Sequence, residues 1–458
     1  MNDPDRFDPA SVGVFRVVDR SFERESRTVT LRYAFDDEHE FVETITFETP
    51  THALMTESPP GLERALLHLH VAAGTSYYKA AAPRTISVEG ASLSAEELEY
   101  HHHLYDEGLR EFAVTNRLEV PRPVFIRSDG GGSDPVAGTR SSPERFERPG
   151  GIVVPIGGGK DSMVLIEAVR ELDPFLFAVN PHPRVIELAK KAGLELVVVR
   201  RQLSPHLDDL NRSGALNGHV PITAIISLIA VVGTFLYGYD TIAMAVERSA
   251  SEETVIVDGV PVNHQYSKSL EFELATRDLI SESIDPDVTY GSGLRPYSEL
   301  AIARTFARLT GYHAEFCSCN RIFRRGADEK ESWCGECPKC RFVALMLAPF
   351  LEVDELDAIM GHDLFDDRAQ LPGFAALMSD EGKPFECVGE RRESAAALRM
   401  LSGQPRWKDA AVVSGLAAEA RGMVSDAEVT ALLRPQPELA FPDPMVASLV
   451  EAMMAEVT

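Results

Sequence analysis

Three clusters in this 458-residue chain combine residue types and spacings suited to chemistry. Residues 153 to 164 read VVPIGGGKDSMV: an apolar run, the glycines Gly157, Gly158 and Gly159, then Lys160, Asp161 and Ser162 opening a second apolar pattern. A strand, a glycine turn and a helix beginning near Asp161 make a seat for phosphate or pyrophosphate. Amides at a helix N-terminus point outward with partial positive charge, and glycine lets the backbone come close to an anion. A Walker A loop needs Gly five residues before Gly-Lys and Ser or Thr directly after it. Val154 and Asp161 stand at those places, and Ser162 stands where a dinucleotide fingerprint needs its third Gly, so both readings fail.

The second cluster is Cys317, Cys319, Cys334, Cys337 and Cys340. Two Cys-x-x-Cys steps sharing Cys337 converge three thiolates, and one from upstream closes the tetrahedral shell of a structural Zn²⁺. A redox or sulfur-carrying Cys-x-x-Cys is the alternative. Cys387 stands alone and reads as a small buried apolar residue. The third set is scattered: His264, Tyr266 and Lys268 in NHQYSKS, His219 in NGHVP, and Glu247 closing DTIAMAVE. These are the side chains that carry protons in general acid–base catalysis.

The elements that must position these groups read as follows. Residues 12 to 48 alternate in the manner of strands, and helical patterns follow at Gly61–Ala72 and Ala95–Thr115. A Gly-, Ser- and Pro-rich stretch over 127–150 reads as a linker after an N-terminal α+β domain at 1–126. Strands then alternate with helices: Ile152–Ile156, Phe175–Val179, Leu194–Val199, Thr241–Val246 and Ala314–Phe316, with helices near Asp161, Pro183, Val220 and Pro296. That order predicts a parallel sheet covered on both faces over 151–350. Short helical patterns with proline joints make 351–458 a C-terminal helical region. The uncharged run Val220–Tyr239 has the length of a membrane span, yet its Pro, Ser, Thr and Gly content fits a helix buried in an α/β domain.

Composition narrows the function class. Hydrophobic residues make up 44% and charged residues 25%, enough for a sizeable core. Lys and Arg total 45 against 71 Asp and Glu, a formal charge of −26, which argues against a nucleic-acid partner. The acidic N-terminus lacks the layout of a secretory signal, and clustered cysteines suit a reducing compartment, so a cytoplasmic protein without membrane attachment is expected. His101–His103 reads as a solvated helix surface, since consecutive helical residues point in different directions. Oligomeric state is not legible.

GGGKDS resembles the SGGxDS signature of the PP-loop ATP pyrophosphatase superfamily, with Gly157 in place of the leading Ser. The resemblance implies a doubly wound parallel sheet of the adenine nucleotide alpha hydrolase-like kind. It implies ATP cleavage between the α and β phosphates, with AMP transferred to a carboxylate or carbonyl oxygen. Ser162 and the amides of Gly157, Gly158 and Gly159 would hold the pyrophosphate, Asp161 would carry Mg²⁺ and Lys160 would stabilise developing charge. Val179 and Asn180, ending FLFAVNPHP, would lie against the nucleotide, in keeping with ligand binding at strand carboxyl ends. The SCN before the cysteine cluster resembles the zinc-binding PP-loop enzymes that build 7-cyano-7-deazaguanine, which implies Cys319 as the fourth ligand and Cys317 as the alternative.

HLHVAAGTSYYKAAAP, YDEGLREF, GGGKDS, LNGHVPITAIISLIA, VNHQYSKSLEFE and WCGECPKCRFVALMLAPFL together resemble the UDP-N-acetylmuramoyl-L-alanyl-L-glutamate epimerases, the MurL family, over about residues 60 to 350. The resemblance implies ATP-dependent inversion of the terminal glutamate through a carboxyl-adenylate, with AMP and pyrophosphate released, in peptidoglycan precursor synthesis. His264 and Lys268 are then the first choices for the proton carriers, with Tyr266, His219 and Glu247 behind them. His219 alternatively caps the buried helix, and Glu247 alternatively binds Mg²⁺ or ribose. Ser76 to Lys79 reaches the substrate from the first domain in this reading. Arg321, Arg324 and Arg325 pair with its anionic groups or form a solvated face. A PP-loop ligase or nitrile synthase acting on a heterocyclic acid, and a nucleotide-sensing module, are the rival expectations.

Overall fold

The computed structural model describes residues 6–48, 61–127, 146–322, 332–380 and 383–455. The expected linker and Arg324 and Arg325 fall largely or wholly outside these residues. The fold is mixed α/β, and the chain forms two compact units. The first comprises Met1–Gly151, Val197–Ile242 and Val262–Tyr290; the second comprises Ile152–Leu196, Ala243–Pro261 and Gly291–Thr458.

The strands are, in chain order, β1 (Val14–Glu23), β2 (Thr28–Phe35), β3 (His39–Phe47), β4 (Thr85–Val88), β5 (Val124–Arg127), β6 (Ile152–Pro155), β7 (Phe175–Val179), β8 (Leu196–Gln202), β9 (Thr241–Met244), β10 (Val255–Val257), β11 (Val260–Val262) and β12 (Thr289–Ser292). In the first unit their order is β8-β3-β2-β1-β4-β5. β1, β2, β3 and β8 pair antiparallel, whereas β4 and β5 run parallel beside β1. Alternation on β3 buries Phe41, Glu43, Ile45 and Phe47 on one face. The charged member of that face is satisfied because Arg201 Nε donates to Glu43 Oε1 at 2.7 Å.

The uncharged run forms a helix, Ile222–Tyr237, packed against the helix Gly61–Ala73. Its polar side chains find partners inside the unit. Thr234 Oγ1 donates to Val231 O at 2.7 Å, and the Ser227 and Tyr290 hydroxyls lie 2.9 Å apart. Among the described residues no helix is long and apolar enough to cross a membrane.

In the second unit β6 and β7 run parallel, and the strand order is β12-β9-β6-β7, β9 and β12 belonging to this unit only from Ala243 and Gly291 onward. β6 therefore stands between the strand that follows it in sequence and one reached much later. The loop after β6 opens at such a reversal, where α/β sheets form ligand crevices. One expected strand is absent: Ala314–Phe316 is a turn, with the Glu315 and Phe316 amides both donating to Tyr312 O. A local apolar pair cannot make a strand when the preceding 3₁₀ turn claims its amides. β12, which sequence reading passed over, lies at the sheet edge instead. Past Leu351 the described residues form short helices around a core including Phe374, Leu398, Trp407 and Val413.

Helix Gly61–Ala73 starts at a glycine for a steric reason. A Cβ there would lie 2.6 Å from Ile284 O and 2.8 Å from Phe235 Cζ. Gly61→Ala is expected to destabilise the protein by about 1–3 kcal/mol through overpacking, read as a lower denaturation midpoint; an unchanged midpoint counts against this packing.

Candidate functional site

The glycine turn is placed by backbone geometry on both flanks. Ile156 N donates to Phe177 O at 2.9 Å, holding the end of β6 against β7, and Gly158 has φ +91°, a conformation that favours glycine. Gly159 is the N-cap of the helix Lys160–Ala168 and gives it no side-chain cap. The first amides of this helix are thus left to an external acceptor, and a Cβ at Gly157 would meet nothing within 4 Å. Ser162 Oγ donates back to Gly159 O at 3.1 Å. Val179 ends β7, and Asn180 follows it in the left-handed region with φ 47°.

Lys160 is buried, and its ammonium is clamped by Asp161, at 2.5 Å, and by Glu299. Burial opposes the charge, but the two carboxylates outweigh it and raise the lysine pKa. Sequence reading missed Glu299, Glu393 and Lys339, which complete the cluster. Glu299 begins the helix Glu299–Phe306 after the N-cap Ser298, and its amide donates to Glu393 Oε1 at 2.8 Å. Glu393 belongs to a capping box with Glu390. Lys339 Nζ lies 4.0 Å from Glu299 Oε1.

Burial, offset in part by Lys160, and repulsion from Asp161 and Glu247 push Glu299 up to about 7. Burial with repulsion from Glu390 and Glu299 pushes Glu393 up to about 8. The cluster holds more carboxylate than its lysines neutralise. Oxygens of Asp161, Glu247 and Glu299 all lie within 4.8 Å of one another. An all-oxygen set with surplus negative charge fits Mg²⁺, a hard cation. Glu247 is buried, and its carbonyl accepts from Arg295 Nη1 at 2.7 Å.

Beside the turn stand the cysteines. The sulfurs of Cys319, Cys334, Cys337 and Cys340 lie within 4.8 Å of one another. Separations of 4.0 Å (Cys319–Cys337), 3.7 Å (Cys334–Cys340) and 3.4 Å (Cys337–Cys340) approach the edge of about 3.8 Å that a tetrahedron with Zn–S near 2.3 Å requires. The Cys337 and Cys340 amides each point at a preceding sulfur at 3.4 Å, as thiolate ligands favour. The four residues fit Zn²⁺. Cys317 stands apart: burial pushes its thiol up to about 12, and its amide donates to Gly158 O at 2.9 Å. The chain leading into the cysteine group is therefore bonded to the glycine turn. Arg321 is engaged with Glu336 at 2.7 Å on an exposed face, and Cys387 is half-buried.

The first unit gathers a second polar group. His264 Nδ1 bonds the Glu111 carboxylate, and His219 Nδ1 lies 3.8 Å from the same oxygen. The two rings are 4.5 Å apart. Burial, then His264 and Lys268, lower His219 to about 3, so it is a neutral imidazole. Lys268 Nζ lies 3.4 Å from Gln265 Oε1, whereas the Tyr266 hydroxyl is directed at Glu271. Glu111 escaped sequence reading because nothing local sets it apart from Asp106 and Glu107 in YDEGLREF. His101 corrects an expectation: it is fully buried, its Nε2 3.0 Å from His68 Nδ1. Glu97, Tyr100, His101 and Leu104 follow helical spacing and face inward together, leaving His102 exposed.

Comparison with known proteins places the whole chain. The family models of the MurL N-terminal domain and the MurL C-terminal domain match residues 6–293 and 315–431. A protein of Xanthomonas oryzae pv. oryzae named UDP-N-acetyl-alpha-D-muramoyl-L-alanyl-L-glutamate epimerase is 40% identical over 89% of this chain and 90% of its own. Proteins of the same name from Salinispora tropica and a Micromonospora species are 45% and 42% identical; the alignments cover 83% of this chain and 82% and 84% of theirs. No solved structure matches significantly. The chain belongs to the MurL family and is an enzyme of the isomerase class.

Proposed function

We propose that this enzyme inverts the terminal L-glutamate of UDP-N-acetylmuramoyl-L-alanyl-L-glutamate to D-glutamate, spending ATP to form a carboxyl-adenylate and releasing AMP and pyrophosphate. The product would serve peptidoglycan precursor synthesis, and so cell-wall biogenesis and cell shape, in the cytoplasm. The observation that carries the activation step is the uncapped helix start at Gly159 beside buried Lys160 and its carboxylates.

The chemistry follows from charge. A free carboxylate is already anionic, so removing the adjacent Cα proton would create a dianion. Joining AMP to it removes that charge and makes the acyl group electron-withdrawing, so a base of ordinary strength suffices. The amides of Gly158, Gly159 and Lys160 and the Ser162 hydroxyl would hold the departing pyrophosphate, with Val179 and Asn180 beside the nucleoside. Lys160 would offset charge growing at the α-phosphate. Mg²⁺, held by Asp161, Glu247 and Glu299, would supply a Lewis acid for phosphate oxygens. His264, oriented by Glu111, and Lys268 would handle protons, while Tyr266 bonded towards Glu271 suits a structural part. Zn²⁺ on the four cysteines would keep the turn in shape through Cys317 and Gly158.

In heavy water with ATP, Mg²⁺ and the precursor, deuterium is expected at the glutamate Cα together with AMP and pyrophosphate. ATP consumption that needs ammonia and brings no exchange would instead mark a ligase or nitrile synthase, and bound ATP without pyrophosphate release a nucleotide sensor. Asp161→Asn and Glu299→Gln are each expected to lower AMP formation at least about 100-fold, with wild-type rates in either counting against its metal role. Removing zinc with a chelator, or Cys340→Ser, should lower the melting temperature and weaken ATP binding together; intact ATP affinity would separate the cysteine group from the turn.

A further inference from the structure

Inversion needs a proton taken from one face of Cα and another delivered to the opposite face. Rings 4.5 Å apart, as in His219 and His264, leave no room for a carbon between them, and Lys268 acts on His219 from within the same group, so these residues serve one face only. Resting on the function proposed above, we infer that Lys79 is the proton carrier for the other face.

Lys79 is the C-cap of the short helix Thr75–Tyr78 and is buried. Its Nζ donates to Asn217 Oδ1, which also accepts from Gly218 N at 2.9 Å. One residue on, Ala80 O accepts from Leu216 N at 2.9 Å. The loop carrying His219 is thus pinned to Lys79 and Ala80, and His219 lies two residues beyond Asn217, a span of at most ~7 Å. Asn116 Nδ2 donates to Asn217 O at 2.9 Å, tying the same loop to the helix Arg110–Asn116 that bears Glu111. Lys79 and the histidine pair therefore hang on one hydrogen-bonded frame.

The surroundings of Lys79 set it apart from a structural lysine. Buried lysines are normally paired with a carboxylate. Among the described residues Lys79 has an amide for a partner, and burial alone lowers it to about 8. Such an amine exchanges its proton near neutral pH. In the step assigned here, one carrier in its neutral form takes the Cα proton while the C–H electron pair moves onto the acyl oxygen. The other carrier, protonated, delivers its proton to the opposite face. Water then attacks the acyl carbon, AMP leaves, and exchange with solvent restores both carriers.

Lys79→Met and Lys79→Arg test this in heavy water with the precursor, ATP and Mg²⁺, following AMP, D-glutamate and deuterium separately. In both variants AMP formation is expected to persist within a few-fold, while D-glutamate formation falls at least about 100-fold. Deuterium entering the unreacted L-epimer would make Lys79 the donor; none entering would make it the acceptor. The parent's ratio of D-glutamate to AMP formed should show a limb near pH 8, which separates Lys79 from the carboxyls that titrate in the activation cluster. Inversion by Lys79→Arg near the parent rate, equal loss of AMP and D-glutamate in both variants, or no such limb would overturn the assignment. A parent enzyme that forms no AMP from this precursor would overturn the proposed function, and the role of Lys79 with it.

Discussion

A lysine and several carboxylates share one largely buried cluster in the second unit, held by interactions from several of its elements. Lys160 retains its charge when buried only because Asp161 and Glu299 surround it. Glu299 keeps its place through its helix start and through Glu393, which caps another helix and accepts its amide. Gly389 lacks a side chain where a Cβ would approach Glu393 Oε2 to 2.6 Å and Phe342 Cζ to 2.7 Å. Helix termini far apart in sequence converge because their capping groups and the acidic cluster are the same atoms. A cluster with surplus negative charge is poor as a stability device and well suited to cationic or phosphate chemistry.

The cysteine group is linked to the same cluster through the chain and through a hydrogen bond. Cys337 caps the helix Pro338–Leu347, whose second residue is Lys339, and Cys317 is bonded to the turn that precedes Lys160. A tetrahedral ion at this point would act on two elements at once, setting a lysine and a phosphate-facing loop. Small irregular loops bury little apolar area, so metal ligation is an effective way to hold their backbone.

In the first unit the polar side chains sort into two sets. His68, His101, Glu97 and Arg64 form a linked network, with burial lowering both histidines. Their hydrogen bonds run mainly to one another and to the Ser92 and Ser94 backbone, as in a structural network. His219, His264 and Glu111 are less buried, and Lys79 has an amide where a carboxylate would normally stand. Groups whose charge is perturbed by burial and specific neighbours cluster at functional sites, which supports the proton-transfer roles proposed for this second set.

Local pattern by itself determined the strands β1 to β3 and the helix after the glycine turn. It also determined the buried nature of Ile222–Tyr237 and the grouping of the cysteines. These follow from periodicity and short spacings, which need no knowledge of distant contacts. The MurL membership was legible too, because its stretches are spread along the chain. Tertiary structure alone decided that Glu299 meets both Lys160 and Glu393, that Glu111 meets His264 and that Lys79, among the described residues, has an amide for its partner. It likewise turned His101 inward and made Ala314–Phe316 a turn. A carboxylate's role depends on its nearest charges and its burial, and here these involve residues 94, 139 and 153 positions away; no window of sequence contains them.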